Sequence, residues 1–273
     1  MKIIQSVITL IIVFTFITCT NEHAPEADKL RFTVASDSTI YYYRLGWTQI
    51  MDYGQYTEAE HSYRRALMFD ADFLTGKSVL ARLTTNQEER KELLQQIYEN
   101  RHTITGDERL VLDVYTALTE FTIARDDDDP EAPNLLNNTL ELAERNLRKI
   151  VNRYPGEVHI KAEFIEVLNY RHGPKAALDS LAAHIPGNRI ENPFLLGYAA
   201  GMHASLGNFE TALKKAAQLD STLTNPEWPK THAVYADIYL KMDDPATACP
   251  YAEKAYALDP NNVDVQRLIA QCD

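Results

Sequence analysis

Gly54-Gln55-Tyr56-Thr57-Glu58-Ala59-Glu60-His61-Ser62-Tyr63-Arg64-Arg65-Ala66-Leu67 is the stretch that decides the fold. After the break at Gly54, Ala59, Tyr63, Ala66 and Leu67 return every three or four positions, the spacing of one face of an α-helix. Upstream, Tyr43, Trp47 and Ile50 keep the same spacing, so residues 40–73 read as two helices joined at Gly54. Ala59 is small because the helices of such a hairpin cross closely there, while Tyr43, Trp47 and Tyr63 fill the groove between neighbours.

The hairpin recurs. The place of Ala59 is taken in turn by Leu93, Ala143, Ala177, Ala212 and Ala248, at intervals of 34, 50, 34, 35 and 36 residues. A period near 34 marks stacked helix-turn-helix units, each too small to bury its apolar face without a neighbour. The single long interval places an insertion in the third unit, at Asp126-Asp127-Asp128-Asp129-Pro130-Glu131-Ala132-Pro133. That run lacks the alternating ligands and turn glycine of a calcium loop, and it reads as a solvated loop between two helices.

The Gly, aromatic, Ala, aromatic and Ala at residues 54, 56, 59, 63 and 66 resemble the tetratricopeptide repeat, and Leu258-Asp259-Pro260 resembles the usual ending of that repeat. The resemblance implies an all-α fold, a right-handed α–α superhelix of six hairpins. These fall at residues 40–73, 74–107, 108–157 with the insertion, 158–191, 193–226 and 229–262. Residues 263–273, with Val265, Leu268 and Ile269 on one face, read as a helix capping the exposed end, and the solenoid as a whole as residues 39–273.

Ahead of the repeats, Lys2 precedes an apolar run over residues 3–17. This is the pattern of a signal peptide, 1–18, and it falls short of the roughly 20 apolar residues of a membrane-spanning helix, although an uncleaved anchor stays open. Phe16-Ile17-Thr18-Cys19 resembles the lipobox of bacterial lipoproteins. That resemblance implies acylation of Cys19, palmitate included, and a place at the bacterial cell envelope, anchored to the outer membrane. Secretion to the periplasm without a lipid is the alternative. Residues 19–38, polar and acidic with Pro25, read as a flexible tether.

The 27 basic against 39 acidic residues give a net charge of −12, which argues against nucleic acid, since phosphate binding needs a basic face. GxSxG, GxxxxGK[ST] and GxGxxG are all missing, so no catalytic residue and no cofactor is assigned. His159, His172, His184, His203 and His232 show no i, i+4 pair, and no metal site is assigned. Cys249 and Cys272 are brought near each other if the cap packs antiparallel to the preceding helix, and they read either as a disulfide or as two packed thiols.

In tetratricopeptide-repeat proteins ligands lie along the inward positions of the first helices. Here those positions supply Tyr41, Arg44 and Thr48 in the first unit, Arg82 in the second, Glu120 in the third, Glu166 and Tyr170 in the fourth, and Asp237 and Lys241 in the sixth. Phe194, Gly197 and Gly201 in the fifth and Lys230 in the sixth fall on the same positions. The resemblance implies a non-catalytic scaffold that binds a protein or peptide partner in this groove. The same side chains also fit ordinary solvated helix surface. The other functional reading is an envelope glycan or small-ligand binder, with Trp47 and Trp228 as stacking faces. Oligomeric state is not legible.

Overall fold

Every helical pattern becomes a helix, and a local side-chain cap marks five of the starts among the described residues. The side chains of Ser36, Asn86, Asn192, Asp244 and Asn262 each accept a backbone N–H of the turn that follows. The computed structural model describes residues 28–185 and 190–272. Its helices are α1 (Asp37–Trp47), prolonged by a π-helical turn (Thr48–Tyr53), α2 (Tyr56–Phe69), α3 (Leu74–Leu83), α4 (Gln87–Asn100), α5 (Gly106–Asp126), α6 (Ala132–Arg153), α7 (Val158–His184), α8 (Pro193–Ser205), α9 (Phe209–Thr222), α10 (Pro229–Lys241), α11 (Pro245–Leu258) and α12 (Val263–Ile269). No strand occurs among the described residues.

These make six hairpins and a cap. The pairs are α1 with α2, α3 with α4, α5 with α6, the two halves of α7, α8 with α9, and α10 with α11, and α12 packs on the last. In α7 the turn shrinks to Gly173 at φ 84°, followed by Pro174, so two helices meet at one bent residue. The small positions that set the period are the closest crossings: Ala59, Ala143, Ala177, Ala212 and Ala248 are all fully buried, and Leu93 nearly so.

Two expectations need correction. The acidic insertion does not form a long loop. It lengthens α5 to 21 residues and α6 to 22, leaving only residues 127–131 between them. Ala124 and Ala132 on the added turns are buried, which stabilises helix over loop. Nor is the acidic run simply solvated. Arg90, itself buried, donates to Asp126, and Lys91 pairs with Asp127 at 3.0 Å, so the turn is pinned to α4.

The second correction concerns the expected tether over 19–38. From residue 28 onward the chain is a strap laid across the stack. Leu30, Phe32 and Val34 alternate with polar residues, the period of an extended segment with one face inward. Leu30 is buried, and Phe32 packs edge-on against Tyr43 and Phe73. The N–H of Leu30 donates to Glu157 and that of Thr33 to Glu108, each at 2.8 Å, and that of Ala35 to Asp70 at 2.7 Å. Glu108 and Glu157 stand at the N-terminal ends of α5 and α7, where the helix dipole favours a carboxylate. The expected signal segment, 1–18, and Cys19 lie outside the described residues.

Cys249 on α11 and Cys272 beyond α12 are disulfide-bonded, with their Cα atoms 5.7 Å apart. The bond fixes the cap to the sixth hairpin.

Candidate functional site

Three consecutive residues at the end of the first hairpin's inner helix meet the N-cap residues of three later helices. Asp52 accepts from the side-chain amide of Asn192 at 2.8 Å and from the N–H of Phe194 at 3.3 Å, capping α8 from across the molecule. Tyr53 stacks on Trp228, the N-cap of α10, with ring centroids 3.8 Å apart and planes within 8°. The carbonyl of Gly54 accepts from the side-chain amide of Asn262, the N-cap of α12, at 2.8 Å. Just beyond, the Tyr56 hydroxyl donates to Asp264 at 2.9 Å, and Thr57 donates to Asp259 through both its N–H and its hydroxyl. The stack therefore closes on itself, its first turn seated against its last two hairpins and cap.

Closure converts the concave face into a cavity of about 500 Å³, bounded by the first hairpin, α7, α8, α10 and α12. Part of its wall is apolar, with Trp47, Met51, Phe194, Val234 and Leu268, and part is charged. Most of those charges are satisfied. Arg82 pairs with Glu163 at 2.8 Å and lies over the Tyr115 ring, whose hydroxyl also donates to Glu163. Lys241 pairs with Asp237 at 2.6 Å and donates to the Gly201 carbonyl, and Asp264 holds Tyr56.

Glu166 and Lys230 are the exceptions. Among the described residues neither forms an ion pair or a hydrogen bond, and Lys230 only sets its ammonium over the Phe194 ring at 4.2 Å. Both are partly exposed and line the cavity. Burial pushes the Glu166 carboxyl up to about 8, reinforced by Asp264 and Glu163 and opposed by Lys230 and Arg82. Burial also holds the Lys230 ammonium below the ordinary lysine value, against the attraction of Asp264, Glu166 and Asp52.

Of the nine groove residues expected from the sequence, Arg82, Glu166, Asp237 and Lys241 come together here. The other five do not line the cavity. Tyr41 and Tyr170 are 60% and 67% exposed, and Arg44 stands 3.6 Å from Glu157 near the strap. Glu120 sits on the lengthened α5, which does not reach the cavity, and Thr48 opens the π-helical turn. In the first unit Trp47, Ile50 and Met51 line the cavity instead.

The aromatic faces expected for glycan stacking are not free either. Trp228 is covered by Tyr53, and Trp47 is 6% exposed among Tyr43, Tyr63 and Tyr115. Tyr56, Asp264 and Arg267 reach the cavity only through closure, and nothing local in the sequence announces them.

Hairpins stacked around a concave face define an all-α repeat protein. The repeats are of a known kind: residues 40–73 and 229–262 match the tetratricopeptide repeat. The two matched units are the two that meet at the closure. No curated protein matches the sequence.

Among solved structures, the Cut9–Hcn1 hetero-tetramer of the APC/C is 12% identical with a TM-score of 0.45, over 86% of this chain, which spans 42% of the length of that one. The pilF protein of Pseudomonas aeruginosa is 13% identical with a TM-score of 0.38, over 86% of this chain and 97% of that one. A thermophilic TPR protein of Thermus thermophilus is 16% identical with a TM-score of 0.30, over 86% of this chain and 98% of that one. Likenesses this distant say nothing about what the cavity holds.

Proposed function

We propose that the protein is a non-catalytic binding scaffold, held at a bacterial envelope membrane by a lipid on Cys19, whose concave cavity receives part of a partner protein or peptide. The carrying observation is the cavity itself: inward positions of α7, α8 and α10 converge on one space with mixed apolar and charged walls. Tetratricopeptide repeats typically serve protein interaction, which supports the scaffold reading. The lipid rests on the sequence around Cys19.

Co-purification of the membrane-extracted protein, wild type against Gly201→Leu, tests the groove. Gly201 lines the cavity, and a side chain there would push toward Asp237. Loss of the partner with the filled variant supports the proposal; unchanged recovery sinks it. For the anchor, a fatty-acid analogue should label the wild type and not Cys19→Ala.

A second reading, a small-molecule ligand, is favoured by the closure. The turn over residues 52–57 limits the concave face to about 500 Å³, the size of a small-molecule site rather than of an open groove for an extended peptide.

A further inference from the structure

Glu166 and Lys230 are an acid and a base lining one cavity, and among the described residues neither forms a hydrogen bond or an ion pair, with each other or with a third group. An acid or a base held among protein atoms without a partner is costly to ionise, and such groups concentrate where a ligand of opposite charge completes them. The remaining lining charges are already paired: Arg82 with Glu163, Asp237 with Lys241, and Arg267 with Asp264, which also accepts from the Tyr56 hydroxyl. What the cavity lacks is therefore one positive group and one negative group, and their sum is neutral.

An amine alone would answer Glu166 and leave Lys230 enclosed, and a carboxylate alone would do the reverse. A molecule bearing both answers both and adds no net charge to a confined space. Trp47, Met51, Phe194, Met202 and Val234 supply apolar surface for its body, and Gly197 and Gly201 add no side chain of their own between them.

Resting on the small-ligand reading above, we propose that the cavity binds a small zwitterion of amino-acid or dipeptide size with an apolar side chain. Its ammonium sits on Glu166 and its carboxylate on Lys230.

Isothermal titration of the purified protein tests this with leucine, phenylalanine and their dipeptides, each as the free zwitterion, as the N-acetyl derivative without the ammonium, and as the amide without the carboxylate. The free form should bind, and each blocked form should bind about tenfold or more weakly, the worth of one charge-assisted hydrogen bond. Glu166→Gln should no longer distinguish free from N-acetyl, and Lys230→Met should no longer distinguish free from amide. Circular dichroism and melting confirm that both variants are folded, as expected when a titratable group without a partner is replaced by a neutral one.

Equal binding of all three forms overturns the zwitterion and leaves the small-ligand reading standing. So does binding of a neutral glycan in the absence of any amino-acid or dipeptide binding. Absence of binding by every probe overturns both.

Discussion

The carboxylate of Asp259 accepts the N–H of Thr57 at 3.1 Å and the hydroxyl of Thr57 at 2.8 Å, across 202 positions of chain. Thr57 begins α2, whose own N-cap residue, Gln55, makes no side-chain cap. Asp259 ends α11 and is buried. The last hairpin thus caps a helix of the first, a contact between the two ends of the stack.

Asp259→Ala should therefore loosen both ends at once. Loss of a cap is typically worth about 1–2 kcal/mol, and each kcal/mol lowers Tm by roughly 2–4 °C in a chain of this size. Hydrogen exchange is the sharper readout. Amides of α2 and α12 should gain exchange together, and a change confined to α12 would mean that the ends are not coupled.

Two glycines separate closure from turn geometry. Gly54 and Gly207 share nearly the same left-handed backbone, at φ 75° and 74°. A Cβ on Gly54 would come within 3.2 Å of the Lys230 backbone nitrogen, whereas one on Gly207 would meet nothing within 4 Å. Alanine at Gly207 should show only the backbone strain of that region, about 1–2 kcal/mol. Alanine at Gly54 should lose distinctly more, because the contacted atom is backbone and cannot swing aside. Equal losses in denaturant melts would rule out tight packing of the turn on α10.

Stability should also depend on Glu166 in a defined pH window. Its folded carboxyl sits at about 8, above the ordinary value of roughly 4.3 expected in the unfolded chain. Between those values the folded state holds a proton that the unfolded state has released, so stability falls as pH rises through the window. Glu166→Gln removes this dependence while Glu157 and Glu120, also raised by burial, stay common to both proteins. Melts of the two proteins should nearly coincide near pH 4, with the variant ahead by several degrees at about pH 8. A constant difference across the window would contradict it.

How much of this is legible in the sequence depends on the range of the signal. The hairpins are, because Ala59, Tyr63 and Ala66 and their recurrences are a local pattern enforced by close helix crossings. Arg82, Glu166, Asp237 and Lys241 follow from the same register. The closure is not, since Asp52, Tyr53 and Gly54 gain their meaning only from Asn192, Trp228 and Asn262, more than a hundred positions away. The register does less well in the first hairpin, where Trp47, Ile50 and Met51 line the cavity and Tyr41, Arg44 and Thr48 do not. The strap is hidden because Leu30, Phe32 and Val34 are too short a run to stand out within a polar segment.

The cap supplies the last prediction. α12 has only seven residues, too few for a stable isolated helix, and it provides Asp264, Arg267 and Leu268 to the cavity and Asn262 to the closure. Its attachment therefore matters beyond its own contacts, and the Cys249–Cys272 bond, spanning 23 positions, secures it. A loop of that size is worth about 3 kcal/mol in the chain-entropy account. Reduction, or the double change Cys249→Ala with Cys272→Ala, should lower Tm by several degrees and raise hydrogen exchange first in α12, then at the N-terminus of α2. Alkylation before and after reductant, read by intact mass, establishes the bond directly: two thiols should become reactive only after reduction. Two reactive thiols in the untreated protein would show instead that the cap is held by packing alone.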